Sequence, residues 1–212
     1  RPLSFLPRAT GDGGPGGTAQ VLLDGVDVKA AHNVANSLTW GPDGWLYGCN
    51  GILSNSKIGK PGTPDDQRVP MNCGIWRYHP VRHEFEVFAH GTTNPWGHDW
   101  NEMGELFFIN TVNGHLWHGI TGAHFVRPHT IDPNPHVYAQ IDQHADHWHF
   151  DTAQAWTKSR HGAANAFGGG HARIRMMLHL GDHWPPEFHY PLFPCTMHGR
   201  GDDTAYIPSL DH

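Results

Sequence analysis

The stretch WGPDGWLYGCN, residues Trp40 to Asn50, decides the fold, because its framework returns as WNEMGELFFIN at Trp100 to Asn110. Trp, Gly, Leu and Asn recur at one constant offset, and an aromatic residue follows Leu in both copies. Each copy predicts a strand, a tight turn closed by glycine, and a second strand. A strand–turn–strand unit that repeats at this interval is typical of the blades of a β-propeller.

The first copy belongs to a series of four predicted strands. The third and fourth alternate apolar and polar residues, as half-buried strands do. A polar, proline-containing excursion at 52–72 separates the second strand from the third. Four strands in this order predict one complete blade. They cover residues 37–41, 45–51, 74–78 and 84–88.

Further units follow the second copy. Its strands are predicted at 97–101, 105–111 and 115–119. A third unit is predicted from Val137–Ala139 and Asp146–Asp151, and one more strand pair from Met176–Leu180 and Leu192–Met197. We therefore predict an all-β fold, a propeller of the six-bladed type, present as an incomplete piece of about three to four blades.

The predicted organisation has three parts. Residues 1–20 read as a loop or linker, and residues 21–200 form the partial propeller. Residues 201–212 form a tail that matches the repeating pattern poorly. There is no initiator methionine or signal-peptide pattern at Arg1, so we expect the chain to be an internal piece of a longer protein.

Composition narrows the class of protein. The 26 glycines, 17 prolines and only 16% charged residues suit a turn-rich β protein better than a helical one. The formal net charge of −6, with histidine neutral, argues against a nucleic-acid-binding surface. No apolar run approaches the roughly 20 residues of a membrane span. We expect neither nucleic acid as a partner nor a span in this stretch.

Three cysteines, Cys49, Cys73 and Cys195, form no CxxC or CxxCH motif. A cysteine-based metal knuckle or an attached haem is therefore not expected here. Cys49 and Cys73 flank neighbouring predicted strands. A disulfide in an oxidising compartment and two free buried thiols both fit this placement.

Candidate functional residues cluster just before each predicted inner strand. In a propeller, the loop from the outer strand of one blade to the inner strand of the next passes over the mouth of the central channel. Polar groups of successive blades then converge on one axis, where they need partners or a ligand. These groups are His32 and Asn36, then Asn94, Trp96 and His98, and finally Asp146, His147 and His149.

The chain has 20 histidines, and imidazole can act as a general base or bind a transition metal. We predict His32 and His98 as catalytic residues. His147 and His149 would share one strand face and, with Asp146, form a metal site. Any single histidine in so rich a chain is more often structural, and the same spacing occurs wherever a strand face is polar.

Three motifs together resemble the glucose/sorbosone dehydrogenase-like six-bladed propellers. They are HNVANSLTWGPDGWLYG at His32–Gly48, GTTNPWG at Gly91–Gly97 and LGDHWP at Leu180–Pro185. The resemblance covers roughly residues 18–200 and is strongest to the membrane-bound dehydrogenase domain of planctomycete-type bacteria. It implies export to the periplasm or cell surface, and oxidation of a sugar or other alcohol.

The resemblance also implies cofactors and a partner. In the soluble quinoprotein relatives a channel histidine takes the hydroxyl proton while hydride passes to pyrroloquinoline quinone, with Ca²⁺ as the associated ion. His32 lies nearest to that histidine, and Asn36, Asn94 and Trp96 are the cofactor-binding candidates. Thr93 stands where those relatives carry arginine, so the expected anion clamp is missing. A separate c-type cytochrome domain is the implied electron partner.

Two other functions remain open beside the oxidoreductase. A Ca²⁺-dependent hydrolase of the lactonase type would use Asn36, Asn94 and Asp146 as oxygen ligands. A non-catalytic propeller would bind a glycan or a protein, because the fold alone does not establish activity. The leading hypothesis is a periplasmic dehydrogenase-like propeller.

Overall fold

A computed structural model describes residues 2–7, 16–30, 33–111, 114–127, 132, 134–145, 173–181, 183, 185 and 192–196. Within these residues the chain is all-β, with one 3₁₀ turn at Asp65–Gln67. The strands are β1 Leu3–Phe5, β2 Gln20–Leu23, β3 Asn36–Trp40, β4 Leu46–Asn50, β5 Ser56–Ile58, β6 Val69–Met71, β7 Gly74–His79, β8 Glu84–His90, β9 Pro95–Trp100, β10 Leu106–Asn110, β11 Leu116–Gly119, β12 His144–Ala145, β13 Arg173–Leu178 and β14 Leu192–Thr196.

The strands form three main antiparallel sheets. Sheet 1 has the order β3-β4-β7-β8, sheet 2 the order β9-β10-β11-β12, and sheet 3 consists of β13 and β14. In the part of the chain that the structure describes, none of the sheets closes on itself, and each of the first two has the strand order of a propeller blade. The all-β fold and its incomplete, propeller-like character are therefore confirmed.

The repeated motif forms the same hairpin in sheets 1 and 2. The Gly41 N–H donates to the Trp45 carbonyl at 2.8 Å, and the Asn101 N–H donates to the Glu105 carbonyl at 3.0 Å. Gly44 and Gly104 both have φ near +80°, in the left-handed region that glycine enters without a side-chain clash. The recurring glycine is thus explained by the turn that it closes.

The four predicted strands of the first unit are confirmed as sheet 1, and the three of the second unit as β9 to β11. The sequence missed β12, which pairs with β11 through only two residues.

The predicted strand at Val137–Ala139 is wrong. Those residues follow a turn in which the Val137 N–H reaches the Asn134 carbonyl, and Tyr138 is fully exposed. The predicted strand at Asp146–Asp151 lies outside the described residues.

The last predicted strand pair is confirmed as sheet 3, where Met176 lies opposite Pro194. Sheet 3 packs on sheet 2 through Ile109, Met176, Leu178 and Leu192, all buried. The Leu178 N–H also donates to the Asp99 carboxylate at 2.9 Å. β9 therefore lies between β3 on one side and β13 on the other.

Sheets 1 and 2 face each other across the largest apolar cluster, in which Tyr47 and Phe88 of sheet 1 meet Trp100 and Phe108 of sheet 2. The opposite face of sheet 1 is covered by two small hairpins, β1–β2 and β5–β6. The sequence predicts a loop over residues 1–20, but β1 shows that part of this segment packs on the sheet. The excursion at 52–72 contains the second hairpin. Stacked sheets with apolar faces are the packing that propeller blades require.

None of the described residues forms a helix with the length and apolar character needed to cross a membrane.

The edge of sheet 1 should be sensitive to a methyl group at Gly91. This glycine has φ near +102°, and a Cβ there would lie 2.1 Å from the Phe125 carbonyl oxygen. We expect Gly91→Ala to lower the free energy of unfolding by about 3 kcal/mol, from a left-handed backbone and a steric clash together. Urea denaturation measures the loss.

Gly122→Ala is the matched control, because Gly122 has φ near +78° but no atom within 4 Å of the place that a methyl group would take. It should cost only about 1 kcal/mol, the cost of the left-handed backbone. Equal losses in the two variants would contradict the close approach at Gly91.

Candidate functional site: the inner-strand cleft

Three strands with an unpaired edge surround one open cleft of about 560 Å³. Among the described residues, β3, β9 and β13 each lie at the edge of their sheet, and no other described strand pairs with the backbone N–H and C=O groups on that edge. The lining residues come from these three strands alone: Ser37, Leu38, Thr39, Trp96, Gly97, His98, Asp99, Ile174, Arg175, Met176 and Met177. We call this space the inner-strand cleft.

The side chains in the lining combine hydroxyl, aromatic and charged groups. Ser37 and Thr39 contribute hydroxyls, and the Trp96 ring is half-buried. Asp99 and the exposed Arg175 bring one charge of each sign. The Asp99 carboxylate accepts hydrogen bonds from the Leu178 and Trp100 N–H groups, both at 2.9 Å, which fix its orientation. Such a lining suits a small polar ligand with an apolar face.

Buried asparagines hold the loops that enter β3 and β9. Asn110 is fully buried, and its side-chain oxygen accepts the Asn94 N–H at 2.6 Å. Just beyond it, the Thr111 N–H donates to the Asn94 carbonyl at 3.0 Å. In sheet 1 the equivalent Gly51 N–H donates to the Asn33 carbonyl at 3.1 Å. The loops that enter β3 and β9 are thus held by corresponding backbone hydrogen bonds.

Asn50, the counterpart of Asn110, holds a different loop. Its amide nitrogen donates to the Asn72 carbonyl at 2.8 Å and to the Ser54 carbonyl at 3.2 Å. These bonds tie the excursion between β4 and β7 back to the end of β4. The Ile52 N–H then donates to the Thr93 carbonyl at 3.0 Å, so this loop also contacts the entrance to sheet 2.

The structure brings three predicted cofactor-binding residues together between β3 and β9. The Trp96 indole N–H donates to the Asn94 side-chain oxygen at 2.9 Å. The Asn36 amide donates to the Val34 carbonyl at 3.0 Å and to the Pro95 carbonyl at 3.3 Å. The side-chain amide of Asn36 thus holds backbone carbonyls next to β3 and at the start of β9, and the side-chain oxygen of Asn94 holds the Trp96 ring. Trp96 lines the cleft, and a role in binding remains a prediction for all three.

His98 is packed between sheets 1 and 2 and is only 4% exposed. Its ring lies 5.3 Å from the Trp100 ring, and its Nδ1 lies 3.4 Å from the Cys49 sulfur. Burial lowers the pKa of His98 to about 4, so the imidazole is neutral at physiological pH. A neutral imidazole is the form that a general base needs. His98 lines the inner-strand cleft but exposes little of its surface there, and its catalytic role stays a prediction.

The other predicted site residues, His32, Asp146, His147 and His149, lie outside the described residues. Within the part of the chain that the structure describes, no group of three or more His, Cys, Asp or Glu side chains is placed to hold a metal ion. The metal site at Asp146, His147 and His149 stays a prediction.

Cys49 and Cys73 are free, buried thiols, and Cys195 is exposed. Burial raises the pKa of Cys49 and of Cys73 to about 12 in each case. Both thiols are therefore neutral, and neither is a thiolate nucleophile. The sequence is compatible with a disulfide or with two free thiols, and the structure shows two free thiols.

The sequence gives little indication that Ser37, Thr39, Asp99 and Arg175 are site residues. Ser37 adopts φ near +56°, which is uncommon for a residue other than glycine and accompanies an irregular register between β3 and β4. Ser37 directly follows the candidate residue Asn36, and this is the feature of the sequence that could have identified it as a site residue. Arg175 could not be placed near β9 from the sequence, because no repeat marks β13.

An anionic quinone does not fit the loop before β9. Thr93 is 3% exposed, and its hydroxyl exchanges hydrogen bonds with the Asn110 side chain, at 2.9 Å and 3.3 Å. It is neutral and turned into the asparagine network. The described residues of this loop therefore offer no charge to the acid groups of pyrroloquinoline quinone.

The open antiparallel sheets and their edge-lined cleft define a propeller-like all-β protein. The chain belongs to the family described as Domain of unknown function (DUF7133), whose family model matches residues 3–200. No curated protein and no solved structure matches it.

Removal of the Asn110 side chain should destabilise the entrance to β9. Asn110→Ala leaves the buried Asn94 N–H without its acceptor, and we expect the free energy of unfolding to fall by about 2–3 kcal/mol. Chemical denaturation measures the loss. Asn101→Ala is the comparison, because its side-chain oxygen accepts two N–H groups in an exposed turn and should cost about 1 kcal/mol. A smaller loss for Asn110→Ala than for Asn101→Ala would contradict this role.

His98 should make the fold acid-sensitive. Its folded pKa of about 4 lies below the ordinary histidine value of 6.5, so its contribution is complete above pH 6.5 and is lost as the pH falls towards 4. Between pH 7 and pH 5 the wild type should lose about 2 kcal/mol more stability than His98→Phe. Denaturation curves at both pH values measure the difference. Identical losses would show that His98 is not a buried neutral group.

Proposed function

We propose that this chain binds a sugar or a related polyhydroxylated alcohol in the inner-strand cleft, as part of a dehydrogenase-like propeller of the periplasm or cell surface. The observation that carries the proposal is the convergence of three unpaired strand edges, a half-buried indole and side chains of both charges on one cleft of about 560 Å³. This volume accommodates a small saccharide within the usual range of ligand sites.

The lining matches the chemistry of a sugar. Hydroxyl groups of a polyol both donate and accept hydrogen bonds, and the strand edges together with Ser37 and Thr39 present both kinds of partner. The C–H face of a sugar ring is apolar and packs on an aromatic ring such as that of Trp96. A ligand that has only hydroxyl groups, or only an apolar face, would contact fewer of the residues that line the cleft.

Oxidation of the bound alcohol is the activity that the resemblance to glucose/sorbosone dehydrogenases favours. The reaction removes two electrons and two protons from the alcohol carbon and its hydroxyl. We assign the electrons to an acceptor outside the described residues, a cofactor or a cytochrome domain. Because Thr93 does not suit a quinone acid group, no step is assigned to pyrroloquinoline quinone.

Sugar binding without oxidation is the second candidate. It is favoured by the burial of His98, because this one described catalytic candidate lines the cleft but is only 4% exposed. A Ca²⁺-dependent hydrolase has less support. The side-chain oxygens of Asn94 and Asn36 accept hydrogen bonds from Trp96 and Ser37, so both are already engaged.

The test is a binding titration on the full-length protein with a panel of sugars and sugar alcohols. We expect binding by at least one of them, and Trp96→Ala should weaken it roughly tenfold, since loss of an aromatic contact costs about 1 kcal/mol or more. Trp40→Ala is the matched control, because Trp40 ends β3, is 60% exposed and does not line the cleft. Its affinity should equal that of the wild type.

The same preparation is then assayed for reduction of an artificial electron acceptor by the bound sugar. Electron transfer supports the dehydrogenase, and binding without electron transfer supports the second candidate. Failure of every sugar and alcohol to bind, or equal weakening by Trp96→Ala and Trp40→Ala, would overturn the assignment of the cleft.

A further inference from the structure

A pair of stacked histidines joins sheet 1 to the segment that connects β11 to β12 in sheet 2. The rings of His90 and His124 have centroids 4.5 Å apart and planes 11° apart. His90 ends β8, while His124 lies beyond β11. The His90 N–H donates to the Ala123 carbonyl and the Phe125 N–H to the His90 carbonyl, both at 2.8 Å. Residues 123–125 therefore run parallel to the end of β8, bridged at His90 and His124.

The outer ring of this pair is held by a carboxylate. His124 Nδ1 lies 2.7 Å from Asp132 Oδ2, and the Asp132 side chain is only 6% exposed. Burial acts to raise the pKa of Asp132, but the hydrogen bonds from His124 and the Asn134 N–H outweigh it and leave that pKa below its usual value. Asp132 is therefore charged throughout the pH range in which histidines titrate.

The surroundings of His90, unlike those of His124, disfavour a positive charge on the imidazole. Its Nδ1 is buried and has no hydrogen-bond partner among the described residues. Burial, the facing His124 and the guanidinium of Arg127 lower the pKa of His90, and Asp132 opposes them only in part. Cys73, whose carbonyl accepts the N–H of Gly91 next to His90, is neutral because burial raises the pKa of its thiol to about 12. His90 is thus held in its neutral form.

The stack does not tolerate two charges. A protonated His90 would carry an N–H at Nδ1, and this buried donor would have no acceptor in the described surroundings. Two imidazolium rings with centroids 4.5 Å apart would also repel each other in a site that is partly shielded from water. The unsatisfied N–H donor and the repulsion between the two charges are both relieved when residues 123–125 move away from β8.

We propose that the His90–His124 stack is an acid-sensitive clasp, which holds residues 123–125 on sheet 1 while no more than one imidazole is charged and releases them when both are charged. Since the pKa of His90 is lowered in the closed form, the closed form binds fewer protons than the open form. The clasp is therefore closed above the usual histidine pKa of about 6.5 and opens as the pH falls through the lowered value.

Release of the clasp has a consequence for the cleft. His90 is followed directly by Gly91–Asn94, the loop that enters β9, and the Gly91 N–H donates to the Cys73 carbonyl at 3.0 Å. A change at the end of β8 is therefore transmitted to the strand that lies in the middle of the inner-strand cleft. The proposal itself does not depend on which ligand the cleft binds.

Hydrogen exchange with mass spectrometry on the full-length protein tests the clasp at pH 7.5 and pH 5.0. After correction for the intrinsic exchange rate, the protection of residues 123–126 should fall roughly tenfold or more at pH 5.0, because two facing charges repel by several times the thermal energy. Both measurements use the His98→Phe background, because His98 by itself lowers the global stability between these pH values, and in that background the amides of β4 should change less. Equal protection of residues 123–126 at the two pH values would overturn the proposal.

Variants separate this pair from the other histidines. His90→Phe keeps an aromatic ring on His124 but does not titrate, so in the same His98→Phe background the protection of residues 123–126 should become nearly independent of pH. His118→Phe is the matched control, because His118 also stacks on an aromatic ring, Phe107 at 5.0 Å, but is exposed. It should keep the wild-type response.

Circular dichroism at pH 7.5 checks that each variant folds. Should His90→Phe not fold, His124→Gln removes the opposing ring and must flatten the response in the same way. An undiminished pH response in the folded His90 or His124 variant would overturn the clasp, and so would a response that His118→Phe flattens equally.

Discussion

The hydrogen bonds of buried asparagines at one end of the sheets are the constraint on which the rest of the structure depends. Asn110 accepts the N–H of Asn94, and Asn50 donates to the carbonyl of Asn72, so each amide fixes a loop where a strand begins or ends. These amides lie in a fully buried position, where an unpaired polar group is costly. The loops are consequently held in one arrangement, and the strands that follow them have a defined register.

The position of β9 follows from that constraint. Asn94 and Asn110 fix its beginning, His98 and Trp100 pack against Tyr47 of sheet 1, and Asp99 receives the N–H of Leu178 from sheet 3. One strand thus contacts both neighbouring sheets through alternate residues. Its free edge, together with those of β3 and β13, becomes the wall of the cleft. The fold and the candidate site therefore have the same physical origin.

The sequence predicted the strands that the repeat and the alternation mark, and also the pair that forms sheet 3, but it missed shorter strands such as β12. Alternation and the turn glycines located sheet 1 and most of sheet 2, whereas β12 is two residues long and Val137–Ala139 alternates without a partner strand. The repeat places Asn36 and Asn94 beside neighbouring inner strands, but a sequence does not show whether an amide is already bonded to backbone. Likewise, alternation along β9 does not reveal that the His98 face is covered by Tyr47 of another sheet. Sheet-to-sheet contacts decide such questions, and they are long-range.

The most direct test of sugar binding in the inner-strand cleft is a crystal structure of the full-length protein soaked with a sugar or sugar alcohol that it binds. We expect ligand density between β3, β9 and β13, with a ring face on Trp96 and hydrogen bonds to the strand edges. Density elsewhere on the molecule, or a cleft filled by other parts of the polypeptide, would contradict it.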